Sequence, residues 1–133
     1  MPENTFCFDI STLNAQILEA KGFNAETVDC LNLKINTDVV VMNPPYSQGR
    51  WKRHTEHMLT CLNKGGRLVA ILPSTAVDKI TANDDIVIEW SEILKRPFQG
   101  LFLSVCFRCL HSSNNLTANH SQLHPGLKIK PMI

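Results

Sequence analysis

The chain has 133 residues, 44% hydrophobic and 19% charged, which supplies one packed core and excludes both wholesale disorder and two full domains. Thirteen Lys and Arg stand against twelve Asp and Glu, a formal charge of +1. That balance excludes a uniformly basic nucleic-acid coat and leaves room only for a local phosphate-binding patch. No apolar run reaches the ~18–20 residues of a membrane span, and no basic-then-apolar leader is visible. The five cysteines, Cys7, Cys30, Cys61, Cys106 and Cys109, are odd in number and sit mostly among apolar residues. A reducing, cytoplasmic setting with no membrane partner is the expectation.

Phe6-Cys7-Phe8 reads as a short strand ending at Asp9. Ser11 or Thr12 caps a helix to about Lys21, with Leu13, Ile17 and Ala20 on one face and Gly22 as terminator. An extended segment, Phe23 to Val28, ends at Asp29. The run Asp38 to Met42 is a strand buried on both faces, and it stops at Asn43 because Pro44 and Pro45 have no N–H to continue a ladder. After a short connection, Ser47-Gln48-Gly49, the spacing predicts a helix from Arg50 to about Leu62, with Trp51, Thr55, Met58, Leu59 and Leu62 on one face. Asn63-Lys64-Gly65-Gly66 ends it, and Arg67 to Leu72 is another buried strand. Thr75 to Asp85 is a reduced helix or a loop. Ile86 to Trp90 and Phe98 to Leu110 pair as a terminal antiparallel hairpin. Ser112 to Ile133 is polar and aperiodic. The organisation is an α/β domain over 1–111, a mostly parallel sheet covered on both faces, with a loosely attached tail over 112–133.

Three strands thus end in a polar residue, Asp9, Asp29 and Asn43, and in open α/β sheets ligands bind outside the carboxyl ends of the strands. Asn43-Pro44-Pro45-Tyr46 carries the most specific chemistry. An exocyclic amine on a base is a poor nucleophile because its lone pair is delocalised into the ring. A site that fixes both N–H bonds on acceptors draws that pair out of the plane and accepts the charge developing during transfer. Asn43 Oδ1 is one acceptor, the Pro44 carbonyl is another with no adjacent N–H to compete, and Tyr46 can stack on the ring.

These four residues, behind a buried Val39-Val40-Val41-Met42 strand, resemble the catalytic motif of the adenine-N6 DNA methyltransferases. The resemblance covers roughly residues 5 to 110 and implies an incomplete Rossmann-like methyltransferase fold, S-adenosylmethionine as methyl donor and a DNA adenine flipped into the site. It implies catalytic roles for Asn43, Pro44 and Tyr46. Asp9 sits where the family places the acid for the donor's ribose hydroxyls, and Asp29 resembles the acid that meets the donor's adenine amine. Both aspartates also suit ordinary strand ends or helix caps. Pro45 falls on the substrate side of the motif. Gly65-Gly66-Arg67-Leu68-Val69-Ala70-Ile71-Leu72-Pro73 looks like the family's next strand.

One departure stands out. The family opens with a strand and a glycine-rich turn for the donor's methionine portion, and that strand lies between the Asp9-type and Asn43-type strands. Only Met1 to Thr5 precede the Asp9 strand here, so an open hydrogen-bonding row is expected in the middle of the sheet. The alternative to an enzyme is accordingly a methyltransferase-derived interaction module, completed by a copy of itself or by another subunit.

Arg50, Lys52 and Arg53 follow the motif closely enough to meet phosphates beside a flipped base, or else form a solvated helix face tempered by Glu56. His54, His57 and Cys61 share a helix side by spacing but lack a further convergent ligand, so no metal is expected. Trp51 reads as an anchor of its helix to the sheet. Cys106-x-x-Cys109 places its thiols on opposite faces of a strand and reads as packing.

Overall fold

The computed structural model describes residues 4–80, 85–96, 100–109 and 128–129, which build a seven-stranded sheet. Its first unit is β1 (Thr5–Asp9), α1 (Thr12–Ala20) and β2 (Asn24–Thr27). Ser11 caps the helix, its hydroxyl accepting from the Asn14 N–H at 3.3 Å, and Gly22 adopts the left-handed φ of +86° that turns the chain back. β1 and β2 are parallel, and Ala15 and Leu18 of the crossover helix close over Cys7 and Ala25. The face read as the packing one, Leu13, Ile17 and Ala20, is instead the outward one, with Leu13 65% exposed. Apolar residues occupy two opposite sides of this helix. The short link from Asp9 fixes its rotation, and Ala15 on the inner side lets it approach the sheet closely.

The second unit is β3 (Thr37–Met42), α2 (Arg50–Thr60) and β4 (Leu62–Pro73), with β3 and β4 parallel. Trp51, Thr55 and Met58 are the buried face of α2, as the spacing predicts. They cover Val40 and Met42, so the main core lies on the sheet face opposite α1 and continues through Leu68, Ala70, Leu72, Val105 and Phe107. Val39 and Val41 point the other way, and Val41 is 42% exposed. The expectation of a strand buried on both faces is therefore corrected. α1 sits over β1 and β2 and stops short of Val41, and among the described residues no other helix covers that face.

Asn63 to Gly66 does more than end a helix. β4 already begins at Leu62, opposite Thr37, and the register shifts before Val39 meets Arg67. Gly65 takes a φ of +77°, as a bulge of this kind requires. Gly66 is closed in: a Cβ there would lie 2.8 Å from the Asn63 carbonyl and 3.2 Å from that of Asp38. Both are backbone atoms and cannot rotate away. Gly66→Ala is expected to destabilise the fold by about 1–3 kcal/mol, read as a lower urea midpoint with unchanged slope.

β5 (Ile86–Arg96) and β6 (Gly100–Cys109) form the antiparallel hairpin, and β6 also runs antiparallel to β4. These ladders are the longest in the sheet, so the sheet is mixed rather than mostly parallel. Cys109 is in the core and Cys106 is half-buried on the opposite face; all five cysteines are free. Of the stretch read as a reduced helix or a loop, Thr75 to Asp85, residues 81–84 lie outside the described residues, and the described part opens with the 3-10 turn Ser74–Ala76.

The middle of the sheet departs most from expectation. The order is β2-β1-β7-β3-β4-β6-β5, where β7 is Lys128–Ile129. These two residues run parallel to both neighbours, pairing with Thr5 and Phe6 on one side and with Val39 and Val40 on the other. The row expected to stay open between the Asp9 and Asn43 strands is therefore filled at its lower end by the chain's own residues. Apart from Lys128–Ile129, the stretch read as a tail, 112–133, lies outside the described residues. No helix among the described residues is long and apolar enough to cross a membrane.

Candidate active site

Because β1, β2 and β3 are parallel, Asp9, Asp29 and Asn43 come to one edge of the sheet. Two strand spacings, roughly 10 Å, separate the axes of β1 and β3. Asp9 is 7% exposed at the end of β1. Its Oδ1 accepts from the Ser11 N–H at 2.7 Å and its Oδ2 from the Asn14 side-chain amide at 3.2 Å. An ionised carboxylate has about four acceptor positions, so each oxygen held this way keeps capacity for one more donor. Asp29, half-buried, caps the 3-10 turn Cys30–Asn32 through a 3.0 Å bond from the Leu31 N–H.

β3 leaves the sheet at Asn43, and the last β3–β4 pair is Met42 with Ala70. The next carbonyl along β4, Ile71, lies where Pro44 and Pro45 have no N–H to offer. Tyr46 fills that place: its hydroxyl lies 3.0 Å from the Ile71 carbonyl and 2.9 Å from Asn43 Oδ1. Burial raises the phenol's pKa above its ordinary value, so it remains a protonated donor at neutral pH. One O–H proton is shared between two acceptors. A half-turn of the Asn43 amide lets its N–H donate to the Tyr46 oxygen while Tyr46 donates to Ile71, which frees Asn43 Oδ1 to face outward. Tyr46 thereby positions Asn43, a role that the motif's spacing alone did not reveal. Tyr46→Phe is expected to cost about 0.5–1.5 kcal/mol of stability, measured by urea unfolding.

Pro44 is buried and Pro45 exposed. The connection beyond them places Gln48 and Gly49 at φ of 58° and 68°, a left-handed pair at which α2 begins. Arg50 folds back onto Ser47, donating to its carbonyl at 3.3 Å and to its hydroxyl. Lys52 pairs with Glu56 at 3.8 Å, and both are solvent-exposed, an arrangement of little energetic weight. Arg53 is exposed on the same helix. Trp51 is 3% exposed and anchors α2 in the core.

The three side chains grouped by helical spacing do not act together. His57 donates from Nε2 to the Leu33 carbonyl at 2.8 Å, and Cys61 bonds to the His57 carbonyl. His54 turns instead to Cys30, with Nδ1 2.8 Å from Sγ. Burial, reinforced by the charges of Asp29 and Cys61, pushes the Cys30 thiol up to about 12. Burial, with Arg50, Arg53 and His57 adding to it against the opposing pull of Asp29, lowers the His54 pKa. The pair is accordingly a thiol donating to a neutral imidazole.

With this geometry in place, comparison with solved structures is decisive for the fold. An rRNA methylase from Streptococcus thermophilus superposes with a TM-score of 0.58 at 15% identity, over 80% of this chain and 73% of that one. TrmN from Thermus thermophilus gives 0.59 at 17% identity, over 79% of this chain and 36% of that one. The chain has a methyltransferase-like fold. Protein 1320 of Thermoplasma acidophilum matches too, at 0.52 and 20% identity, over 80% of this chain and 61% of that one. No family profile and no curated protein sequence matches the chain.

Proposed function

We propose that this chain transfers a methyl group from S-adenosylmethionine to the N6 amine of adenine in a nucleic acid, with DNA as the substrate that its Asn-Pro-Pro-Tyr motif favours. The observation that carries the reading is the convergence of Asn43, Pro44 and Tyr46 with a buried, locally braced Asp9 on the carboxyl edge of a methyltransferase-like sheet. The acids fit the donor's adenosine portion: Asp9 has acceptor capacity for two ribose hydroxyls, and Asp29, just beyond the neighbouring strand β2, suits an adenine amine. The described strand between β1 and β3, Lys128–Ile129, contains no glycine to serve the methionine portion, and that end of the donor is assigned to no residue.

When bound, the donor supplies an electrophilic methyl group on a sulfonium. The protein's own task is to present the amine. Asn43 Oδ1, released by the amide turn, and the Pro44 carbonyl each accept one N–H of the target, holding the lone pair toward the donor side. Tyr46 keeps its hydroxyl on Ile71 and so fixes the Asn43 amide. Its half-buried ring borders the place where the base would lie. Arg50, Lys52 and Arg53 stand on the exposed side of α2, where flanking phosphates would pass.

A second reading, with RNA as substrate, is supported by the rRNA methylase among the structural neighbours. Incubation with methyl-labelled donor and matched DNA and RNA oligonucleotides, followed by nucleoside analysis, separates the two. Label in N6-methyladenine from DNA is the expected result. Label from RNA alone would replace DNA with RNA, and label on another base would overturn the adenine assignment.

A further inference from the structure

Asp29, Cys30 and His54 form the one group of three metal-capable side chains found among the described residues, with their donor atoms all within 4.8 Å of one another. They come from two elements. Asp29 and Cys30 open the 3-10 turn after β2, and His54 stands on α2, one turn beyond Arg50. Asp29 Oδ1 accepts from the Leu31 N–H without exhausting the carboxylate's acceptor positions, and Nδ1 of His54 already touches Cys30 Sγ. All three residues are half-buried, so an ion could enter and would still be partly shielded from water.

We propose that Asp29, Cys30 and His54 bind a divalent cation of the zinc class, with water completing a tetrahedral shell. Carboxylate, thiolate and imidazole are the donor set such an ion takes at ~2.0–2.3 Å, which sets the donors ~3.5 Å apart. The 2.8 Å Cys30–His54 approach must open slightly, and the remaining separations close by side-chain rotation. Binding displaces the thiol proton to solvent. The resulting carboxylate and thiolate balance the ion's two charges and offset the unfavourable nearness of Arg50 and Arg53. The ion would tie the Asp29 turn to the helix that follows Asn43-Pro44-Pro45-Tyr46. Asp29 can meet the ion through one carboxylate oxygen and the donor's adenine amine through the other, so the site stands whether or not the methyl-transfer reading holds.

The test is titration of the reduced, metal-free full chain with Co2+, followed by Zn2+. The expected result is a sulfur-to-cobalt charge-transfer band that saturates at one equivalent and is displaced by Zn2+. Cys30→Ser should abolish the band, Cys106→Ser should leave it, and His54→Ala should weaken Co2+ binding by more than the ~10–100-fold typical of losing an outer-shell partner. Circular dichroism establishes that each variant is folded. If Cys30→Ser fails to fold, His54→Ala decides, because it alters a half-exposed helix position. Absence of the band in the unaltered chain, its survival in Cys30→Ser, or unchanged affinity in His54→Ala would overturn the proposal.

Discussion

Replacing Asn43 by Ala is expected to slow methyl transfer by ~10²–10³-fold, the scale at which loss of one preorganised polar contact to a developing charge is felt. Donor binding should be little changed, because Asn43 stands two strands from Asp9 and is proposed to meet the acceptor base rather than the donor. The physical reason is the delocalised amine. Without Oδ1, one N–H is left to water or to nothing, and the lone pair stays in the ring plane. The removal also takes away the partner of Tyr46, whose hydroxyl still has the Ile71 carbonyl. The fold should therefore survive, and a normal melting curve beside lost turnover is the signature to look for. Turnover that persists would show that Asn43-Pro44-Pro45-Tyr46 only ends a strand.

The largest expected effect on stability belongs to Phe107. Its side chain is fully buried, opposite Leu68 on one side and Ile88 on the other, and it joins the hairpin to the rest of the core. Phe107→Ala removes an aromatic ring from a packed position that β4 and α2 cannot collapse to fill, and should cost about 3–5 kcal/mol in urea unfolding. A loss below about 1 kcal/mol would be the range of an unburied site and would place β6 at the periphery.

The parts of this fold that the sequence declared are those governed by short-range rules. Val39 to Met42 had to end at Asn43 because two prolines follow, Ser11 had the side chain to cap α1, and Trp51, Thr55 and Met58 recur at helical spacing. Asp9 and Asn43 were recognisable as strand ends for the same reason. Three features depended on partners distant in sequence and were not legible. α1 carries apolar residues on both sides, and only its attachment to Asp9 decides that Ala15 and Leu18 face inward while Leu13 and Ile17 face out. Val41 looked as buried as Val40 until the helices were placed, since four valine-like residues in a row carry no sign of which face lacks a cover. Lys128–Ile129 is too short for any periodicity, and its place in the sheet follows from the gap between β1 and β3 rather than from its composition.

The site shows the same division. Asn43, Pro44 and Tyr46 were evident from one contiguous motif, but the bond between Tyr46 and Ile71 spans 25 residues and joins the motif to a neighbouring strand. Cys30 and His54 are 24 residues apart, and local spacing had instead grouped His54 with His57 and Cys61. Helical spacing identifies residues on one side of a helix. It does not say which of them a second element will meet.

The measurement that tests the central proposal most directly is calorimetric titration of the purified chain with S-adenosylmethionine and with its demethylated product, alongside Asp9→Ala. Saturable binding of both, weakened ~10–100-fold in the variant as loss of a charged hydrogen-bonding group predicts, is the expected result. No heat of binding from a folded chain, or equal affinity in Asp9→Ala, would contradict a donor site at this edge of the sheet.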